Sequence, residues 1–397
     1  MEHGHDSIRG ASRLNDRIAA VRHARWAVAL FFFINGSIVG SWVPHVPDRA
    51  RALGLNPAQL GAVLLAAGLG SVIAMPLAGT LIGRYGSRTV CTTAGSLFSV
   101  GLTAVVLSPS AFLMAIALLF FGMAGAANDV AMNSHGVLVE EQFGRRTISL
   151  FHAIYSLGGV AGSAITSAAL SRGLASRTIV FLTSAILLVA AIVAGQFLLA
   201  HTHDHARTHA LRPHGRLLLL GILAFSTMVS EGAVADWSGI FLRTVRGLGS
   251  GVVGYGFTAF SAAMVTGRLT GDLIVGRLGE MRALRTGGVL GITGLLVVLL
   301  CPQLTLTITG FALLGLGLAN ASPVLYRAAG KLPGVSPGAG IATTVGIGYA
   351  GLLAGPPALG FVGHAAGISR IFVVMIGLCT LLAFAAPLVG RSKETKS

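Results

Sequence analysis

Four carboxylates interrupt long apolar stretches of this chain, and they are the residues that most need a chemical explanation. They are Asp129, Glu231, Asp236 and Asp272. A charged side chain at the centre of a membrane-spanning helix costs about 2.5–3.5 kcal/mol on insertion scales. Such a group is expected to be paired, protonated or in contact with water. Each of the four is therefore a candidate for proton binding or for an ion pair.

Asp129 is the strongest candidate for reversible proton binding. Asn133 follows it by one helical turn and shares its helix face, and Asn128 is its neighbour in the sequence. Removal from water favours the neutral form of a carboxyl group, so a change in surroundings could make Asp129 bind or release a proton. A permanent cap or bridge between helices is the alternative interpretation.

Glu231 and Asp236 are five residues apart, which places them on different faces of one helix. Glu231 is nearer the middle of its apolar stretch, and we predict that it faces a central cavity and takes part in proton coupling. Asp236 is predicted to belong to a gate at the outer end, with Arg243 or Arg246 as its partner. A place in the cavity is the equal alternative for Asp236.

The remaining charges near the apolar stretches are predicted to act in gating. Arg268 and Asp272 have the i, i+4 spacing of a pair on one helix, whereas Arg84, Arg145 and Arg277 lie in short connections. We expect these five residues to hold the inner ends of the helices together and not to bind a substrate.

Nine polar or aromatic side chains within apolar helices are candidates for hydrogen bonding or stacking with a small molecule. They are Asn35, Trp42, Asn128, Asn133, His152, Tyr155, Trp237, Asn320 and Tyr349. Each also has a structural alternative, because polar side chains often bond neighbouring helices and tryptophans often anchor a helix at the membrane interface.

The composition predicts an all-α membrane protein. Hydrophobic residues make up 54% of the 397 residues and charged residues only 10%, whereas a soluble chain carries about a quarter charged residues. Twelve stretches approach the ~20 apolar residues that a spanning helix needs. The predicted spans are 26–46, 58–82, 89–108, 111–139, 147–170, 177–200, 216–242, 251–276, 283–301, 304–326, 338–363 and 369–390.

The polar segment 201–215 divides these spans into two groups of six. We predict six-helix bundles at 26–200 and 216–390, a His-rich linker at 201–215, an N-terminal arm at 1–25 and a C-terminal tail at 391–397. Most of the 28 Lys and Arg residues flank the spans on the side of the two termini. Because cytoplasmic loops are enriched in these residues, arm, linker and tail are predicted to be cytoplasmic.

The second bundle repeats the first at an offset of roughly 192–196 residues. The segment Ile-Gly-Arg-Tyr-Gly at 82–86 corresponds to Val-Gly-Arg-Leu-Gly at 275–279, and Ala-Asn at 127–128 corresponds to Ala-Asn at 319–320. An even number of spans in each bundle gives both the same orientation. That arrangement is typical of two bundles related by pseudo-two-fold symmetry, with a site between them at mid-depth.

Several other classes of function are not supported. The net charge of +15 reflects the bias of the loops, and it provides no soluble basic face for nucleic acid. The three cysteines have no paired spacing, and the histidines of the linker have no fixed metal geometry. No hydrolase or nucleotide-binding motif is present. We therefore expect neither an enzyme nor a cofactor or metal site.

The chain resembles the major facilitator superfamily over essentially its whole length. The segment 79–88, Gly-Thr-Leu-Ile-Gly-Arg-Tyr-Gly-Ser-Arg, looks like that superfamily's loop between helices two and three. The fucose-permease-like branch is the most similar, on the segments Val43-Pro44-His45, 128–133 and 152–158. This resemblance implies twelve helices in two bundles and a place for Asp129 in the central cavity.

These observations predict a secondary active transporter that works by alternating access. We expect proton-coupled symport of a small polar metabolite, sugar-like molecules included, by a monomer that contacts lipid in a bacterial cytoplasmic membrane. A proton-coupled efflux antiporter for drugs or metabolites is the alternative, although the Gly-Pro motif of drug antiporters is missing from helix five. A channel would need a continuous polar track, which the isolated acids do not provide.

Overall fold

The computed structural model describes residues 2–144, 147–200, 215–333, 335 and 337–389. Every regular element in these ranges is helical, and a 3-10 turn, Val43–His45, separates the first two helices. The helices are α1 (Glu2–Trp42), α2 (Val46–Ala52), α3 (Pro57–Val106), α4 (Ala111–Phe143), α5 (Ile148–Ser171), α6 (Ser176–Gln196), α7 (Gly215–Thr244), α8 (Tyr255–Leu269), α9 (Gly271–Leu278), α10 (Glu280–Leu300), α11 (Leu304–Leu318), α12 (Ala321–Gly330), α13 (Pro337–Ala366) and α14 (Ser369–Val389).

Nine helices in the described ranges are long and apolar enough to cross a membrane. The predicted helical membrane fold is therefore confirmed, whereas the count of twelve spans stays a prediction. Two predicted spans, 58–82 and 89–108, form the single 50-residue element α3. The predicted span 251–276 is divided between α8 and α9, so neither piece alone has the length of a span.

Gly86 and Gly279 show why the repeated segments bend the chain. Gly86 interrupts α3 with φ 80° and ψ 152°, and Gly279 separates α9 from α10 with φ 79° and ψ 158°. A positive φ is costly for residues with a Cβ, so glycine is the residue that fits at both places. The two repeated segments thus produce the same backbone bend.

The C-terminal part contains two further helix interruptions. Thr270 separates α8 from α9, and Ala319 and Asn320 separate α11 from α12. The Asn320 amide donates to the Gly267 carbonyl oxygen at 3.1 Å. Its side-chain oxygen lies where a Cβ of residue 271 would be, so only glycine leaves it room. The two interruptions therefore pack against each other.

The described chain forms two halves. The N-half comprises α1–α6 and the C-half comprises α7–α14; most helix packing is within a half, as between α1 and α5 or between α7 and α13. The halves contact each other through α3 with α13, α5 with α8, and α2 and the 3-10 turn with α7. The boundary between the two halves therefore runs through the middle of the molecule.

The molecule has two opposite faces, a basic face and a distal face. The basic face contains residues 83–88 and 276–285, where the bends at Gly86 and Gly279 lie. The distal face is opposite and contains residues 43–56 and 243–254. At the distal face a capping box starts α3: the Asn56 side chain accepts from the Gln59 N–H at 2.9 Å, and the Asn56 N–H donates to Gln59 Oε1 at 3.0 Å.

Candidate functional site: a cavity between the halves

A cavity of about 410 Å³ lies between the two halves at mid-depth. Its polar lining comes from both halves, with Asp129 and His152 from the N-half and Arg268 and Tyr349 from the C-half. Its volume falls in the range of small-molecule sites. The residues that line it are Phe32, Asn35, Val39, Ala67, Gly68, Ser71, Val72, Met75, Phe98, Phe121, Gly122, Gly125, Ala126, Asp129, Met132, His152, Tyr155, Arg268, Tyr349, Leu352 and Leu353.

Asp129 accepts hydrogen bonds from both halves. Asn133, one turn later on α4, donates from Nδ2 to Asp129 Oδ1 at 3.2 Å and to the Asp129 carbonyl oxygen at 2.8 Å. Tyr349 on α13 donates from its hydroxyl to Asp129 Oδ2 at 3.3 Å. Each carboxylate oxygen thus has one donor. Asn133 holds the side chain on its own helix, and Tyr349 reaches it from the other half.

Arg268 also connects the halves, through Ser156, and it contacts Glu231 within its own half. Its Nη2 lies 3.7 Å from Glu231 Oε2 on α7, and its Nη1 donates to Ser156 Oγ on α5 at 2.9 Å. Glu231 Oε1 is buried and has no hydrogen-bond partner among the described residues. Because the ion pair is long and this oxygen is unpaired, Arg268 and Glu231 can both form further hydrogen bonds beside the cavity.

At one end of the cavity, two polar side chains make only weak contacts with their neighbours. The Phe32 ring packs edge-on against His152, with ring centroids 5.2 Å apart. Asn35 donates from Nδ2 to the thioether of Met132 at 3.7 Å, and a thioether is a poor acceptor. The Asn35 amide is therefore poised for a stronger partner in the cavity.

The structure places the predicted site residues in two groups. Asn35, Asp129, His152, Tyr155 and Tyr349 line the cavity, and Glu231 is next to it through Arg268. The other predicted substrate ligands do not belong to the lining: Trp42, Asn128, Asn133, Trp237 and Asn320.

Packing explains why this second group stays out of the cavity. Asn128 is fully buried and accepts a weak bond from the Cys91 thiol at 3.6 Å, so its amide faces α3. Asn320 is bonded to Gly267, as described above. Trp42 and Trp237 are 6% and 0% exposed, respectively, so neither is an interfacial anchor.

The predicted gate residues have a different arrangement from the expected one. Arg243 and Arg246, considered as partners of Asp236, bind elsewhere: Arg243 pairs with Asp48, and Arg246 donates to the Val298 carbonyl oxygen at 2.6 Å and to those of Leu299 and Cys301. No ion pair of Asp236 is found within the described ranges. In this structure Arg243 and Arg246 therefore do not pair with Asp236, and a gating role of Asp236 stays a prediction.

The basic-face candidates have few described contacts. Arg84 is exposed and lies over the ring of Tyr85 at 5.3 Å, and Arg277 is exposed. Arg145 and the linker 201–214 lie outside the described residues, as does the side chain of Asp272. The predicted pairing of Arg268 with Asp272 is therefore untested, but Arg268 has the other partners described above.

The two halves are held together at the distal face. Asp48 of α2 forms an ion pair with Arg243 of α7 at 3.1 Å and accepts from Ser250 Oγ at 3.0 Å. Ser163 on α5 donates to the Gly254 carbonyl oxygen at 3.1 Å and accepts from the Thr258 hydroxyl at 2.9 Å. All of these bonds cross from one half to the other on the distal side of the cavity.

Helices α3 and α13 show how the contact between the halves changes with depth. In the distal part, a Cβ added at Gly61 would lie 2.5 Å from the Pro356 carbonyl oxygen, and one at Gly68 would lie 2.8 Å from the Leu353 side chain. Such close approach needs glycine.

Toward the basic face, the same two helices separate. Gly79 continues the stripe of Gly61 and Gly68 along α3, and Gly346 lies three residues before Tyr349 on α13. A Cβ added at Gly79 or at Gly346 would meet no described atom within 4 Å. The halves are thus in contact on the distal side and apart on the basic side, with the cavity between these two regions.

Sequence reasoning did not find the ion pair of Arg268 with Glu231, nor that of Asp48 with Arg243. Each pair joins two different helices, α7 with α8 and α2 with α7, and only packing brings the side chains together. The one available signal for the first pair was that Arg268 is the Lys or Arg that lies more than two residues from either end of a predicted span.

Comparisons with known proteins agree with this architecture. The model of the Major Facilitator Superfamily matches residues 25–336. An uncharacterised transporter of that superfamily's type from Yersinia pestis is 37% identical over 363 residues, which cover 91% of this chain and 94% of that protein. Membrane protein MosC of Rhizobium meliloti is 32% identical over 375 residues, covering 93% of this chain and 90% of MosC.

Solved structures show the same fold. The nucleoside transporter NupG superposes with a TM-score of 0.72 at 15% identity, covering 93% of this chain and 100% of NupG. A bacterial homologue of the human lysosomal transporter Spinster, in an inward-facing and unoccupied conformation, gives a TM-score of 0.70 at 13% identity, covering 93% and 97%. The predicted superfamily is confirmed, while the fucose-permease-like branch is not. The chain is a multi-pass membrane protein that belongs to the Major Facilitator Superfamily, a family of secondary transporters.

Proposed function

We propose that this transporter is a proton-coupled symporter that takes up a small polar metabolite across a bacterial cytoplasmic membrane, with the basic face in the cytoplasm. The observation that carries the proposal is the position of Asp129, which lies in the cavity wall and accepts hydrogen bonds from both halves. A carboxyl group there can exchange a proton with the cavity and can respond to movement of the halves.

The charges of the cavity support a coupling role for Asp129 in particular. Arg268 and Glu231 compensate each other beside the cavity, which leaves Asp129 as a cavity-lining carboxylate without a cationic partner among the described residues. An unpaired carboxylate at this depth is costly. Proton uptake removes that cost, so Asp129 is the group whose charge we expect to change during transport.

The lining supports a small substrate with both polar and apolar surface. Phe32, Phe98 and Phe121 provide aromatic surface, while Asn35 and Arg268 provide hydrogen-bond donors. Hydroxyl groups both donate and accept, so a polyhydroxylated molecule with an apolar face would suit this wall. Sugars, cyclic polyols and nucleosides have that chemistry, and the structural neighbour NupG is named a nucleoside transporter.

The orientation follows from the flanking charges and fits uptake. Cytoplasmic loops are enriched in Lys and Arg, which assigns the basic face to the cytoplasm. With the halves in contact on the distal side, the observed state is then one that opens inward. Substrate and proton would enter from the distal face in the opposite state and leave through the basic face in this one.

Purified protein in liposomes tests the proposal. Labelled hexoses, cyclic polyols and nucleosides are supplied outside under an inward proton gradient, and accumulation is compared with exchange of the same solute at equal pH on both sides. We expect Asp129→Asn to lose accumulation while retaining exchange, because exchange moves substrate without net proton transfer. Glu280→Gln is the matched control, since Glu280 pairs with Lys331 at the basic face, outside the cavity.

Two results would contradict the proposal. One is accumulation by Asp129→Asn at the wild-type level. The other is a wild-type protein that exchanges a solute but never responds to the proton gradient.

Proton-coupled efflux is the second candidate, and the aromatic lining of Phe32, Phe98 and Phe121 is the observation that favours it. An efflux antiporter would lower the level of an apolar cation such as ethidium in energised cells and would not accumulate polyols. Measuring both solutes in the same cells, with Asp129→Asn alongside, separates the two directions of transport.

A further inference from the structure

The hydrogen bond between Tyr349 and Asp129 crosses from the C-half to the N-half at the level of the cavity. It differs from the distal bonds to Asp48 because its acceptor, Asp129, lies in the cavity wall and has no cationic partner among the described residues. We propose that Tyr349 is the positioning residue that couples the protonation of Asp129 to the conformation of the two halves. This inference rests on the proposed proton coupling at Asp129.

The strength of this bond depends on the charge of its acceptor. A hydroxyl bonded to a carboxylate forms a charge-assisted bond, which is roughly twice as strong as a bond to a neutral acceptor. Asn133 cannot provide the same link, because it lies on the same helix as Asp129 and moves with it. The ionised form of Asp129 therefore favours the state in which Tyr349 is within reach, which is the observed one.

Linkage gives the converse effect. If the ionised form stabilises the observed state, the observed state must equally favour the ionised form. Asp129 would then bind a proton more readily when the distal side is open and α13 has moved away. It would release that proton when the halves adopt the arrangement seen here. In the proposed orientation this means release toward the cytoplasm, as proton-driven uptake requires.

The other groups around Asp129 do not provide the same cross-half switch. On α5, Tyr155 and His152 line the cavity from the same half as Asp129. On the C-half, Arg268 and Glu231 pair with each other, and Tyr326 is near Tyr349. The cavity-lining residues of α1 and α3, the remaining helices packed against α4, are uncharged.

Distance measurements across the distal face test the inference. Spin labels or fluorophores at Ala52→Cys and Val245→Cys, both exposed on opposite halves, report opening in full-length protein in lipid nanodiscs. Cys301, the one native cysteine that is not buried, is replaced by Ser in all variants. The distal-open fraction is measured from pH 5.5 to pH 8.5 without substrate.

In the wild type we expect the ratio of distal-open to distal-closed protein to rise about three- to tenfold as the pH falls. This range corresponds to the difference in strength between a hydrogen bond to a charged acceptor and one to a neutral acceptor. Tyr349→Phe should remove this response and favour the distal-open state at every pH, as Asp129→Asn should. Tyr326→Phe is the matched control, because it removes a hydroxyl near Tyr349 that does not line the cavity, and it should respond like the wild type.

The outcomes separate this inference from the proposed function. A Tyr349→Phe protein with the wild-type pH response would overturn the inference, as would a wild type without any pH response. If Asp129→Asn loses proton-driven accumulation while Tyr349→Phe keeps both accumulation and the pH response, only the inference fails. If Asp129→Asn itself accumulates solute normally, the proposed function fails as well.

Discussion

Asp48 Oδ1 lies 3.1 Å from Arg243 Nη2, and this ion pair ties the N-half to the C-half at the distal face. The two side chains are 28% and 15% exposed, respectively. Ser250 donates to the same carboxylate oxygen. Since the partners belong to different halves, the pair must break before substrate can enter from the distal side.

Removing this pair is expected to favour distal opening. Asp48→Asn should raise the distal-open population about two- to fivefold, in keeping with a partly exposed ion pair. The measurement is the rate at which an impermeant thiol reagent on the distal side labels Val39→Cys, a cavity position. Glu280→Gln breaks an ion pair within the C-half and should leave the rate unchanged. An unchanged rate in Asp48→Asn would show that this pair does not hold the gate.

The glycine at position 61 should be needed for distal closure. Its added Cβ would lie 2.5 Å from the Pro356 carbonyl oxygen, and a backbone atom cannot move aside as a side chain can. Gly61→Ala should destabilise the distal-closed state by about 1–3 kcal/mol, the usual cost of overpacking. Labelling of Val39→Cys from the distal side should become faster and transport slower. Gly79→Ala, which meets open space, is the control, and an equal effect of both changes would contradict the argument.

Glu231 and Arg268 should depend on each other for stability. Arg268→Gln leaves the Glu231 carboxylate beside the cavity without its cation, and we expect thermal unfolding in detergent to show a loss of about 1–3 kcal/mol. The double variant Arg268→Gln with Glu231→Gln removes both charges and should regain much of that stability, as measured by a double-mutant cycle. Additive losses in the cycle would mean that the 3.7 Å contact does not couple the two residues.

His135 should be a structural residue, in contrast to the cavity residue His152. Its Nε2 accepts from the Leu199 N–H at 3.1 Å, so its Nδ1 carries the proton and donates to Ser87 Oγ at 2.8 Å. His135→Ala leaves the Leu199 N–H without its acceptor and should cost about 1–3 kcal/mol of stability. His152→Ala loses only a ring contact with Phe32 and should affect transport more than unfolding. The reverse order of effects would refute both assignments.

The sequence was sufficient for the fold and for one part of the site. Apolar length predicts membrane helices because unsatisfied backbone is so costly in lipid. The spacing of Asp129 and Asn133 placed both on one helix face, and the two bond each other. These inferences use geometry within a single helix, which the sequence determines.

Relations between helices were less predictable. The sequence predicts a partner for Arg268 one turn along its own helix, but the Arg268 side chain reaches α7 and α5. Asn320 had the composition of a substrate ligand and instead bonds the backbone at a helix interruption. In both cases the competing partner comes from a different helix, and its position depends on packing that no local pattern encodes.

The bends at Gly86 and Gly279 have a mechanical consequence for transport. Each joins two helical segments through one non-helical residue, so the two segments are connected without an intervening loop. A tilt of the segment before Gly279 is therefore expected to move the segment after it. The motion that separates the halves is then expected to carry α9 and α10 together.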